Sequence, residues 1–224
     1  MGVEQKQRQS NPVLAHILQE LQGARTVLDV GCGSGRLARA LVRAGFDVTG
    51  IDPQPLNQAR EICPDAHFIE ASAAAMPFDA GSFDAVVFLN SLHHIPAKVM
   101  KEALSEAARC LVDKGRLIVI EPLAEGPLFE IVRIVDDETV VRNLAQAALD
   151  DCDLPAIRDL TFDRADRYDD AATFLSRLIE AEPARTTAID LARETMNAKF
   201  DKYAKRDGNS FLLSQPMRIR TFRR

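Results

Sequence analysis

Three glycines at alternate positions, Gly31, Gly33 and Gly35, follow the apolar run Thr26 to Val30, and an acid, Asp29, stands two residues before the first of them. Glycines at such a turn let a ligand lie against the backbone, and a helix starting there turns its free N–H groups toward it. The spacing is Gly-x-Gly-x-Gly, so the dinucleotide fingerprint fits only if Arg36 stands where a third glycine or alanine is expected. A pyrophosphate gains nothing from a carboxylate at Asp29. A ligand bearing an ammonium or sulfonium group gains an opposite charge at close range. A second acid, Asp52, closes the next apolar run and is followed by Pro53. At the carboxyl end of a second strand such an acid accepts both hydroxyls of a ribose. The competing reading is a turn aspartate.

Farther along, Asn90 ends another apolar run and is followed by Ser91-Leu92-His93-His94, while Glu121 ends the run Arg116 to Ile120. Open α/β sheets bind ligands at the carboxyl ends of their strands, which makes Asn90 a lining candidate. A neutral imidazole accepts a proton near pH 7, so His93 is the candidate base, with Glu121 facing the same crevice. The plainer readings are a helix-start histidine bonded to backbone and a glutamate in a salt bridge. No metal is expected. Adjacent histidines point apart in a strand, and no third ligand is evident.

These residues need elements to hold them. Thr26 to Val30 reads as a buried strand. Leu37, Ala38, Ala40 and Leu41 follow at helical spacing up to Gly45. Strands are expected at Phe46 to Asp52, His67 to Ala71, Phe83 to Leu89 and Arg116 to Pro122. Helices are expected at Pro55 to Ile62 and Ala97 to Val112 between them. The alternation implies a parallel sheet covered on both faces. Upstream, Met1 to Ser10 reads as a loose arm, and Pro12 to Leu21 as a helix with Asn11 as its cap. Downstream, Leu128 to Leu149 reads as helical with a break at Asp136-Asp137, and Ile157 to Arg167 as a sixth strand. Ala171 to Ile179 and Ala184 to Tyr203 read as amphipathic helices. Phe211 to Phe222 alternates, which suits an antiparallel strand with one wet side.

The 224 residues suffice for one domain with a sizeable core. A net charge of −5 argues against nonspecific binding to nucleic acid or to an anionic membrane, since both need a basic surface. The four cysteines contain no C-x-x-C pair, which suits reduced thiols in a cytoplasmic protein. The polar start is neither a signal peptide nor an anchor, and no apolar run is long enough to span a bilayer.

Leu28-Asp29-Val30-Gly31-Cys32-Gly33-Ser34-Gly35 resembles the first motif of the class I S-adenosylmethionine-dependent methyltransferases. Met76-Pro77-Phe78 with Gly81-Ser82-Phe83-Asp84, then Leu92-His93-His94-Ile95, then Arg116 to Ile120, resemble that family's later segments. The motifs cover Val27 to Pro122; the rest matches in element order only. One position departs: the family usually has an aspartate, bonded to the adenine amino group, where this chain has Ser72. A hydroxyl accepts such a bond more weakly than a carboxylate does.

The resemblance implies a doubly wound, Rossmann-like, seven-stranded, mostly parallel α/β sheet with helices on both faces and the last strand antiparallel. It implies a single domain with a cap over residues 1–22, a cofactor-binding core over 26–122, and acceptor-covering helices and final antiparallel strands over 123–224. The expected cofactor is S-adenosyl-L-methionine, leaving as S-adenosyl-L-homocysteine. It would be held by Asp29, Gly31, Cys32, Gly33, Gly35, Asp52, Pro53, Ser72, Ala73 and Asn90. The expected partner is a small-molecule acceptor, reached by a monomer or homodimer, with neither nucleic acid nor a membrane span. The acceptor is not named by the apolar residues (Phe129, Ile131, Val135, Phe174) and arginines (Arg133, Arg142, Arg177) of the covering segments. Two rivals stand beside this reading: a non-catalytic S-adenosylmethionine-binding module and an NAD(P)-dependent oxidoreductase, the latter disfavoured by Asp29 and the glycine spacing. Nucleic-acid methylation is weaker still, since no N-P-P-Y-like tetrad follows the fourth strand.

Overall fold

The computed structural model describes residues 12–224. The expected arm, Met1 to Ser10, and the cap residue Asn11 lie outside them. One sheet runs through the molecule. Its strands are β1 (Thr26–Val30), β2 (Asp47–Asp52), β3 (His67–Glu70), β4 (Phe83–Leu89), β5 (Leu111–Pro122), β6 (Ala156–Tyr168), β7 (Lys205–Asp207) and β8 (Ser210–Arg223). Their order is β3-β2-β1-β4-β5-β8-β6, with β7 paired to β8 off this path. Pairings from β3 to β5 are parallel, whereas β8 runs antiparallel to both β5 and β6. The expected sheet is present, with the short β7 as an eighth strand that the periodicity did not reveal. Three residues are too few to show an alternation, and β7 exists only because the turn at Gly208 folds it back on β8.

The central strands are buried on both faces because each alternates between two cores. Leu28 and Val30 of β1 join Val86, Phe88, Leu117 and Val119 on one side, against α4 (Met100–Cys110) and α6 (Thr139–Asp150). Val27 joins Val48, Val87 and Ile118 on the other, against α1 (Pro12–Glu20) and α2 (Arg36–Arg43). A strand so placed reads as a continuous apolar run rather than an alternating one. Asp84 fixes β4 beside β1. Its carboxylate accepts from the backbone N–H groups of Arg25 and Thr26, at 2.8 and 2.9 Å, and these bonds hold its pKa below the usual carboxylate range.

A third core lies beyond the sheet's carboxyl ends. There α5 (Pro127–Val132), α7 (Ala171–Ala181) and α8 (Thr186–Tyr203) pack Ile131, Phe174, Ile189, Met196 and Phe200 against Tyr168 and Leu213. The expected break at Asp136-Asp137 separates α5 from α6. One boundary differs from expectation: β5 begins at Leu111, immediately after α4, not at Arg116. Leu111 pairs with Phe83, and the register then shifts so that Arg116 pairs with Ala85. Lys114 at φ 65 turns the intervening bulge. A bulge inserts residues that break the strand's period, so the sequence reads as a loop there.

Candidate functional site

The turn from β1 into α2 needs its glycines for different reasons. All three have positive φ, 73° at Gly31, 49° at Gly33 and 74° at Gly35. A Cβ on Gly31 would sit 2.4 Å from the Cβ of Ser91, so that glycine lets the turn after β4 pass over it. A Cβ on Gly33 would meet nothing within 4 Å, because Gly33 borders open space. That space is a cavity of about 560 Å³ walled by Gly31, Gly33, Asp52, Pro53, Ser72, Ala73 and Asn90. Gln54, Ile95, Pro96 and Val99 also line it; lacking any chemical signature, they were not legible in the sequence. Asp29, Cys32 and Gly35 lie behind this wall, not on it. The Cys32 side chain packs with Leu56, Ala59 and Phe68.

Asp52 makes the backbone bonds of the competing reading, a turn aspartate, at the edge of the cavity. Its Oδ2 accepts from the Gly33 N–H at 3.0 Å and its Oδ1 from the Gln54 N–H at 2.9 Å, as a turn aspartate does. A carboxylate has about four lone-pair sites, so capacity remains on the cavity side. Ser72 accepts from the Ala74 N–H at 3.2 Å. Two buried acceptors here have no partner: Asp29 Oδ2 and Asn90 Oδ1. Asn90 is also held at φ 53, uncommon for a residue with a side chain. Burial, with the charge of Asp52 second, pushes the Asp29 carboxyl up to about 7. Unsatisfied acceptors of this kind suit a ligand that brings donors or positive charge.

A second cavity, of about 620 Å³, adjoins the first, with Asn90 and His94 lining both. It lies under α5, α6 and α7, and its walls include Leu128, Phe129, Tyr168, Leu178 and five arginines. Of the covering residues noted from sequence, Phe129, Arg142 and Arg177 line it. Ile131 and Phe174 are in the third core, Val135 packs against it, and Arg133 pairs with Glu130 and Asp137.

His93 stands in the wall of this second cavity, in the short 3-10 turn Leu92–His94. Its Nδ1 bonds Glu121 Oε2, while Glu121 Oε1 accepts from the Ser91 and Leu92 N–H groups at 2.9 and 2.8 Å. Glu121 is fully buried. A carboxylate acceptor at Nδ1 selects the tautomer with its proton there, leaving the Nε2 lone pair free. The sequence singled out both residues, and the fold joins them across 28 positions.

The two histidines do not point apart, and a third ligating group stands beside them. Because the histidines occupy a 3-10 turn and not a strand, their ring centroids are 4.0 Å apart, and Glu138 stands near both as a third ligating group. The neighbourhood still opposes a cation. Glu138 Oε2 accepts from Arg142 Nη2 at 2.7 Å and Nε at 3.0 Å, so the carboxylate is already neutralised by a guanidinium.

Comparison with known proteins bears on the core. A family model described as a methyltransferase domain matches residues 27–115, from β1 through the bulge of β5. The match covers less than half of the chain and falls on the segment that carries the methyltransferase-like motifs. Among curated relatives, the ubiquinone biosynthesis O-methyltransferase of Bordetella avium is 34% identical over 149 residues, 60% of this chain and 58% of that protein. The chain thus spans less than two thirds of the length of that relative. Among solved structures, the BH2331 protein of Bacillus halodurans superposes with a TM-score of 0.67 at 18% identity, covering 94% of this chain and 97% of that one. The [4+2]-cyclase SpnF superposes with a TM-score of 0.61 at 18% identity, over 93% of this chain and 80% of its own. The fold is therefore shared with a protein named for another reaction, and function has to be argued from the site.

Proposed function

We propose that this protein transfers the methyl group of S-adenosylmethionine to a small-molecule acceptor, with the cofactor in the glycine-walled cavity and the acceptor in the arginine-rich one. The observation that carries this reading is that the two cavities meet at Asn90 and His94, beside the His93–Glu121 pair. The bound cofactor supplies an already activated methyl group. Asp52 accepts from the ribose hydroxyls, and Ser72 and Ala73 border the adenine. The unpartnered oxygens of Asn90 and Asp29 favour the positively charged methionine end, Asp29 from behind the wall.

The chain's task is then alignment and exclusion of water. Holding nucleophile and methyl carbon in line contributes roughly 7–11 kcal/mol. S-adenosylmethionine held there would supply its methyl carbon to the acceptor's lone pair, with the electrons of the broken carbon–sulfur bond staying on sulfur. A proton lost by the acceptor passes to His93 Nε2. Glu121 is a positioning residue: it holds Nδ1–H and so keeps Nε2 available.

The test is calorimetric titration with S-adenosylhomocysteine and with NAD, followed by turnover assays on the same protein. Micromolar binding of the first and much weaker binding of NAD are expected. Equal or tighter NAD binding would overturn the assignment. Tight cofactor binding without turnover on any acceptor would favour a non-catalytic binding module.

A further inference from the structure

The acceptor cavity has more positive charge than its own acids neutralise. Arg36, Arg142, Arg164, Arg177 and Arg185 face it, with Glu138 and Asp166 as the acids in its wall. Every nearby carboxylate is already engaged. Glu138 takes Arg142 at 2.7 Å, Asp166 takes Arg164 Nη2 at 2.9 Å, and Asp136, outside the wall, bonds Arg185 Nε at 2.9 Å. Two guanidinium charges, those of Arg36 and Arg177, are left without a carboxylate among the described residues.

Two of the five, Arg164 and Arg177, keep donors without a partner, although Arg164 Nη2 is taken by Asp166. Arg164, on β6, keeps its Nε buried without any hydrogen-bond partner. A buried donor on a charged group is costly to leave unmade, so the position favours whatever supplies an acceptor. Arg177, on α7, donates by Nη1 to the Arg167 carbonyl at 2.9 Å and lies 5.2 Å from the centroid of the Tyr168 ring. Those two contacts fix the guanidinium plane while leaving its other N–H groups unassigned. A pre-oriented guanidinium fork matches a carboxylate bidentately. Beside the arginines, Leu128, Phe129 and Leu178 offer an apolar wall for the rest of the molecule.

We propose that the acceptor is an apolar, ring-sized molecule carrying a carboxylate, and that Arg164 and Arg177 hold that carboxylate. This rests on the methyl-transfer reading only in naming the occupant as acceptor; the anion site itself is a property of the second cavity.

The test uses the protein loaded with S-adenosylhomocysteine and the three hydroxybenzoates, each compared with its hydroxybenzamide at equal concentration. Thermal shift reads occupancy. At least one acid is expected to raise the melting temperature where its amide does not. Arg164→Gln and Arg177→Gln should each lose that shift by about tenfold in apparent affinity, a loss of about 1.4 kcal/mol. Arg177→Lys should recover part of it. Both glutamine variants should keep the wild-type shift from S-adenosylhomocysteine, which shows that they fold. Amides that stabilise as well as acids, no response to any acid, or glutamine variants that keep the preference would each overturn the proposal. Failure of the wild type to respond to S-adenosylhomocysteine would instead strike the methyltransferase reading.

Discussion

Replacing Glu121 by glutamine keeps the side chain's shape but changes what His93 can do. Oε1 already accepts two backbone N–H groups, so the new amide nitrogen must take the Oε2 position beside His93 Nδ1. A donor there favours the other tautomer, with the proton on Nε2 and no lone pair toward the acceptor. Glu121→Gln and His93→Gln are therefore each expected to lower kcat by about 10²–10⁴, the usual contribution of a general base, with S-adenosylhomocysteine affinity within about twofold of wild type. A single-turnover assay beside a cofactor titration checks both halves. Asp29 yields a pH prediction. Its carboxyl titrates near 3.8 when unfolded and at about 7 in the fold, where burial penalises the charge. The folded state thus binds more protons between these values, and stability falls as pH rises from about 4 to about 7. Asp29→Asn should flatten that slope in melts across the range. An ammonium or sulfonium ligand favours the ionised form, so wild-type cofactor affinity should rise from about pH 5 to about pH 7, and this rise should vanish in Asp29→Asn.

At the scale of elements, the strand-to-helix turn assigns separate tasks to glycines that look alike in sequence. Gly31 is needed for the crossing of Ser91, whose Cβ would lie 2.4 Å from an added methyl. Gly31→Ala should lower stability by about 2–5 kcal/mol, from left-handed backbone strain and overpacking together. Gly33 opens to the cavity, so Gly33→Val should cost only about 1–2 kcal/mol of stability through its positive φ. It should nevertheless lose cofactor binding, because the side chain fills ligand space. A circular dichroism melt and a titration on one sample separate the two variants. A Gly33→Val protein that binds normally would place the cofactor elsewhere.

At the scale of the molecule, the sheet and the cover over its carboxyl ends have distinct cores. The ring of Phe174 packs edge-on to Tyr168 at 5.2 Å and tilted to Phe200 at 5.5 Å, and is fully buried. Phe174→Ala should cost about 3–5 kcal/mol. Since α7 roofs the second cavity and not the first, the loss should appear as a raised acceptor KM with the S-adenosylhomocysteine dissociation constant nearly unchanged. Equal damage to both constants would mean that the two cores do not act separately.

The wall of the first cavity was legible at Gly31, Gly33 and Asp52 because those residues are chemically unusual for their places: glycines in series and an acid closing a strand. Local periodicity likewise determined the alternation of β1 through β5 with their helices, since each element buries a face whose spacing shows in the chain. What sequence could not decide were contacts between distant residues. The bond from His93 to Glu121 spans 28 positions, and Glu138 reaches the histidines only because α6 packs against the turn that carries them. The expectation that adjacent histidines point apart failed for the same reason: direction depends on a 3-10 turn whose three residues are too few to show a period. The second cavity is the extreme case. Its arginines come from α2, α6, β6, α7 and the turn before α8, and as isolated residues each reads as an ordinary surface cation. Only tertiary structure, by bringing them around one space with too few acids, gives that set a chemical meaning.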